Sequence, residues 1–199
     1  MKRVQYALAL TLTVLALAAC DKSPTNTAQA AAAPQAAATP ASPAASIYDR
    51  VAATAQGFST GNMMATRVVY VLFDAQCPHC GRLWQEAKPL LGQVRFVWAP
   101  VRLLAEVSAR QGAVMLASKD PVAEMDGHER SLDAKKGGLV PPADIPADAL
   151  AKVAANTKLM KELGVGSVPY VVYKHPTTGQ SLTFEGAMTT ADLKKTFGL

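Results

Sequence analysis

Arg67-Val68-Val69-Tyr70-Val71-Leu72-Phe73 runs straight into Asp74-Ala75-Gln76-Cys77-Pro78-His79-Cys80. The first seven residues are β-branched, aromatic or aliphatic with almost no polar break. Such a run suits a strand buried on both faces of a central sheet. Asp74-Ala75-Gln76 is the turn out of it. Pro78 suits the first turn of a helix, where its missing N–H costs nothing. The helix continues through Leu83, Trp84, Ala87, Leu90 and Leu91, with a kink expected at Pro89. Val94 to Ala99 forms a second strand. Strand, helix and strand within about 33 residues make a βαβ unit, so the two strands are expected to be parallel with a right-handed crossover.

Outward from this unit, Ser46 to Gly57 reads as a short helix that Ser46 caps and Gly57 ends. Three helical segments follow the second strand, at Glu106–Ser118, Pro121–Lys136 and Pro146–Leu163. Gly137-Gly138 and Pro141-Pro142 separate the last two. Pro169 to Tyr173 is a strand, Pro176-Thr177-Thr178-Gly179 a turn, and Ser181–Glu185 pairs back as a hairpin. Thr189–Phe197 is a closing helix. The order describes an α/β domain: a sheet layered by helices, with a helical insertion at about 103–164.

A C-x-x-C pair where a buried strand meets a helix N-terminus has a physical consequence. Unpaired N–H groups and the positive end of the helix dipole stabilise a thiolate on Cys77. His79, protonated or donating, would add to this and hold Cys77 below the ~8.5 of a free cysteine. Cys80, one turn on and more shielded, is placed to resolve a mixed disulfide formed on Cys77. A structural zinc site needs about four ligands. Beyond Cys77, His79 and Cys80 the chain offers no second C-x-x-C and only His128 and His175. Haem attachment wants C-x-x-C-H, and position 81 is Gly. A purely structural disulfide across four residues would contribute little. No metal and no other cofactor is therefore expected, because the Cys77–Cys80 pair can carry two electrons itself.

The first 45 residues are of another kind. Lys2 and Arg3 precede an apolar run from Ala7 to Ala19, too short to span ~30 Å of hydrocarbon comfortably. It ends in Leu17-Ala18-Ala19-Cys20, which resembles the lipobox of bacterial lipoproteins. That resemblance implies a signal peptide at 1–19, a lipidated Cys20 and, from Asp21, retention at the inner membrane. Residues 20–45 form an Ala/Pro-rich tether whose reach, if flexible, is roughly 25–30 Å. Export places Cys77 and Cys80 in an oxidising compartment. About 150 residues remain from Ser46, enough for one sizeable core. Without Lys2 and Arg3 the formal charge falls from +5 to +3, eighteen basic residues against fifteen acidic, and no basic run exceeds two residues. Nucleic-acid binding needs a clustered basic face and is not expected.

Phe73 to Cys80, with Gly166-Ser167-Val168-Pro169-Tyr170 downstream, resembles the Dsb-type thiol:disulfide interchange proteins. Leu83-Trp84-Gln85, Leu116 to Pro121 and Lys158 to Gly164 bring the chain nearest to the catalytic domain of the DsbC/DsbG subgroup, over roughly residues 67–199. The resemblance implies a thioredoxin fold, exchange with cysteine-containing exported proteins and a membrane redox partner that resets the Cys pair. It makes Pro169 a cis-proline facing the pair. Val168 and Tyr170 then flank a substrate strand, with the Val168 N–H and C=O free to pair with it. Two departures matter. Only a signal, a tether, and a short helix and lead-in at 46–66 precede the catalytic part. Without the subgroup's dimerisation domain a monomer is expected. Pro-His between the cysteines and Val before the proline resemble the DsbA oxidase instead.

Asp74 is a candidate proton relay to Cys80 or a turn residue. Trp84 reads as core, and Met63 and Met64 as core gap-fillers. His128 and His175 read as exposed, and Lys135-Lys136 as a solvated helix end. Oxidation, isomerisation and reduction of client cysteines all remain open. A non-catalytic chaperone or binding module, and a metal-delivery protein, are the alternatives.

Overall fold

The computed structural model describes residues 45–199. The expected signal peptide, the lipidated Cys20 and all but the last residue of the tether lie outside the described residues. Five strands, β1 (Phe58–Gly61), β2 (Val68–Asp74), β3 (Arg95–Val101), β4 (Tyr170–Lys174) and β5 (Ser181–Glu185), form one mixed sheet in the order β1-β3-β2-β4-β5. β2 pairs parallel with β3 and antiparallel with β4, and β5 closes the hairpin with Tyr170 opposite Glu185. Six helices surround it: α1 (Ile47–Thr54), α2 (Pro78–Ala87), α3 (Glu106–Ala117), α4 (Pro121–Asp133), α5 (Ala147–Glu162) and α6 (Thr190–Phe197).

The two-residue alternation of β2 assigns the helices to faces. Tyr70 turns toward α1, where its ring meets Tyr48 at 5.4 Å between centroids. Phe73, of opposite parity, packs at 5.8 Å on Trp98, which stacks edge-on at 5.0 Å with Trp84 of α2. Phe96, two residues before Trp98, meets Phe197 of α6 on the same side. β2 is therefore buried on both faces, as its composition predicts, and α2 is pinned by Trp84 at the sheet centre. The Trp84 indole N–H also donates to Asp126 of α4 at 2.6 Å.

Five expectations change. β1 is an additional strand: Gly57 does not cap a helix but lets the chain approach β3, since a Cβ there would meet the Trp98 carbonyl oxygen at 2.6 Å. α1 ends three residues earlier, at Thr54. With Val51 fully buried and β1 paired to β3, residues 46–66 are built into the same core as the rest rather than leading in to it. Pro89 does not kink a continuing helix; α2 stops at Ala87 and Lys88–Leu90 form a 3-10 turn. Met63 and Met64 are exposed, because Asn62 turns the chain outward, accepting from the Met64 N–H at 2.9 Å. α3 to α5 form the helical insertion between β3 and β4, and among the described residues no helix is long and apolar enough to cross a membrane.

Candidate active site

Cys77 is the N-cap of α2, and Pro78 opens the helix. Both cysteines are free thiols; Cys77 is nearly buried and Cys80 completely so. The Cys80 thiol donates to the Cys77 sulfur, and the main-chain N–H groups of Cys80 (3.4 Å) and His79 also face it. Together they bring Cys77 from an ordinary 9.0 down to about 7, against burial and the nearby Asp74 charge. Burial, then the hydrogen bond to Cys77, pushes Cys80 strongly up. One sulfur is poised to ionise and the other is held as a thiol. The His79 contribution differs from expectation: its ring is exposed, and the group that faces the sulfur is its main-chain N–H.

The Val168–Pro169 peptide is cis and lies across from the pair. The Cys77 thiol donates to the Val168 carbonyl oxygen at 3.4 Å, so that carbonyl is engaged rather than free while the thiol is protonated. Val168 and Tyr170 are both buried, Tyr170 at the start of β4. The Pro169 carbonyl accepts from the Gly186 N–H at 2.9 Å, tying this loop to the end of the β5 hairpin.

Asp74 is almost fully buried and its carboxylate accepts four hydrogen bonds: Gln76 N–H (2.8 Å), Leu103 N–H (2.7 Å), Leu104 N–H (2.9 Å) and Ser108 hydroxyl (2.5 Å). Four donors satisfy the capacity of a carboxylate. This is the geometry of an anchor that fixes the entry to α3, and it leaves no lone pair for a proton relay.

Two further residues shape the site and were not singled out for it by sequence. His128, expected at the surface, is fully buried. The Leu139 N–H donates to its Nδ1 at 3.1 Å, so the other nitrogen carries the proton and donates to the Ala75 carbonyl at 2.6 Å. It bridges the turn before Cys77 to the loop after α4, and burial keeps it below its usual pKa. Gln111 reinforces the bridge, accepting from Gln76 and donating to the Gly137 and Leu139 carbonyls. Glu129, next to His128, is 5 % exposed and has no hydrogen bond or ion pair among the described residues. Burial, with the charges of Asp133, Cys77 and Asp126, holds it up at about 7. A lone histidine and a Glu in a polar helix give no signal of this, because both are buried only through the docking of α4 on the turn before Cys77. His175 is half-buried, Lys135 and Lys136 are exposed, and no group of three or more metal-ligating side chains stands together among the described residues.

No family model matches the chain. The thiol:disulfide interchange protein DsbG of Pseudomonas aeruginosa is 36% identical over 115 residues, 57% of this chain and 44% of that protein. DsbG of Escherichia coli is 33% identical over 115 residues, covering 57% of this chain and 46% of that protein. The match thus spans less than half the length of either relative. Among solved structures, the catalytic domain of Proteus mirabilis ScsC superposes with a TM-score of 0.58 at 19% identity, over 75% of this chain and 92% of that one. Pseudomonas aeruginosa DsbA2 gives 0.58 at 17% identity, over 69% of this chain and 90% of that one. With its five-stranded mixed sheet and flanking helices, the chain has the α/β thioredoxin fold that these Dsb and ScsC proteins share.

Proposed function

We propose that this chain is a periplasmic thiol:disulfide oxidoreductase that exchanges disulfides with cysteine-containing exported proteins through Cys77 and Cys80. The observation that carries the reading is Cys77 at the α2 N-cap, brought to about 7 by the Cys80 thiol and two main-chain N–H groups. Near pH 7 about half of it is thiolate, the nucleophilic form. The Cys77 thiolate attacks one sulfur of a client disulfide. A mixed disulfide forms on Cys77 and the other client sulfur leaves as a thiolate that takes up a proton. Cys80 loses its proton to solvent as it attacks the Cys77 sulfur, and the second client sulfur departs. The client gains two electrons and the Cys pair becomes a disulfide; run backwards, the same steps oxidise a client dithiol.

The Val168 N–H offers the client strand a partner beside the sulfur, with Tyr170 at the flank. A membrane redox partner returns the pair to its working state, and lipidated Cys20 holds the chain at the inner membrane. A thiolate stabilised in the reduced form makes the disulfide more oxidising, so the pair accepts electrons readily. The site works with no cofactor beyond the two sulfurs.

The test is the equilibrium of the Cys77–Cys80 disulfide against glutathione, with exchange assayed on wild type and Cys77→Ser. Exchange should vanish in Cys77→Ser. A potential near the ~−120 mV of DsbA, in a protein found oxidised in cells, marks an oxidase. The same potential in a protein kept reduced marks a reductase. A potential near the ~−270 mV of thioredoxin excludes the oxidase direction. Exchange that survives Cys77→Ser would overturn the reading.

A further inference from the structure

Beside the Cys pair, α2 and α4 enclose a cavity of about 490 Å³ that the exchange chemistry does not use. Gln76 and Pro78, the chain neighbours of Cys77, form one wall, so an occupant would sit against the turn that carries the reacting cysteine. Gly81 and Glu129 meet inside it. A methyl group at position 81 would stand 2.0 Å from Glu129 Oε2, so the missing side chain of Gly81 is what leaves room for the carboxylate.

The charges facing Glu129 are uneven. Asp126 and Asp133 lie on its own helix, Glu86 lines the cavity from α2, and the Cys77 thiolate adds to them. Of the cations, Lys88 is taken by Asp126 at 2.6 Å, and Arg82 is exposed and makes no ion pair with Glu129 among the described residues. His128 stands beside it with both ring nitrogens in hydrogen bonds. A buried carboxylate with no partner is costly, and an incoming cation relieves that cost, whereas an anion would meet three carboxylates.

Resting on the reading of Cys77 as an exchange nucleophile, we propose that this cavity receives a Lys or Arg side chain carried by the client close to its reacting cysteine, with Glu129 as the counter-ion. The aliphatic stem of such a residue lies along Pro78 and Leu132 while its charged head reaches the carboxylate. The site then selects clients by a basic residue at a fixed distance from the cysteine. Because Glu129 is held at about 7, the selection strengthens as pH rises through that value and the carboxylate ionises.

The experiment uses the reduced full chain and synthetic peptides, each with one cysteine held as its mixed disulfide with glutathione. Lys, Ala or Glu occupies each position from three before to three after the cysteine. Peptide thiol release is followed for Lys and Ala peptides in competition, so that titration of Cys77 cancels in the ratio. At one position the Lys peptide is expected to react about tenfold faster than the Ala peptide at pH 8, and the Glu peptide slower. The ratio should fall toward one at pH 5.5, and also in Glu129→Gln at pH 8. A ratio of one at every position overturns the proposal. So does a Lys preference that persists in Glu129→Gln or ignores pH. Absence of exchange with every peptide, Ala included, overturns the reading of Cys77 and the proposal with it.

Discussion

At Cys77 the chemistry is set by one neighbour more than by the helix as a whole. The largest single influence lowering its pKa is the hydrogen bond from the Cys80 thiol. Cys80→Ala removes that donor while keeping the helix, so the thiolate absorbance or alkylation midpoint of Cys77 should move up from about 7 toward the ordinary 9.0. An unchanged midpoint would mean that the main-chain N–H groups alone hold the charge. Glu129 gives a prediction of opposite sign. Folding favours its protonated form, so its contribution to stability is complete below pH ~4.5 and is lost as pH climbs through about 7. Glu129→Gln should therefore stabilise the protein at pH 8, by on the order of 3 kcal/mol, and leave it nearly unchanged at pH 4. Urea unfolding at the two pH values decides it.

The elements of the site were unequally legible in the sequence. β2 and α2 could be read because a continuous apolar run and an N-terminal proline are local signals, and Cys77 lies between them. β1 could not, because four residues with Gly at one end carry too short a pattern and are a strand only through pairing with β3. Likewise His128 and Gln111 belong to the site through contacts 53 and 35 residues away in the chain. Asp74 shows how a turn residue becomes an element-level device, since one carboxylate holds Leu103, Leu104 and Ser108 at the head of α3. Asp74→Ala removes the acceptor of all three, and because the Ser108 hydroxyl is fully buried the cost should be about 1–3 kcal/mol. Hydrogen exchange at the Leu103 and Leu104 amides should accelerate. Protection that persists would assign their anchoring elsewhere. His128→Ala should cost about 2–3 kcal/mol by the same reasoning, for the Leu139 N–H and the Ala75 carbonyl lose their bridge together.

For the molecule as a whole, the boundary of the folding unit lies well before β2. Val51 is buried in the main core, and β1 covers one side of β3 through four register pairs. A chain beginning at residue 67 would open an apolar face and a sheet edge at once. It should unfold at markedly lower urea than a chain beginning at 45, with a smaller slope. Equal midpoints would show that α1 and β1 are dispensable.

The strand order also sets a timetable. β2 finds β3 within about thirty residues, but its other neighbour, β4, lies about a hundred residues further on. A chain emerging from its N-terminus can thus make the Asp74–Cys77 turn early, with both cysteines in place, long before Val168 and Pro169 arrive to cover them. Through that interval the open side of β2, lined with valine, tyrosine and leucine, is a bare apolar edge. The carbonyl that shelters Cys77 appears 91 residues after it, so the nascent chain passes through a period in which its own cysteine pair is most exposed to other thiols.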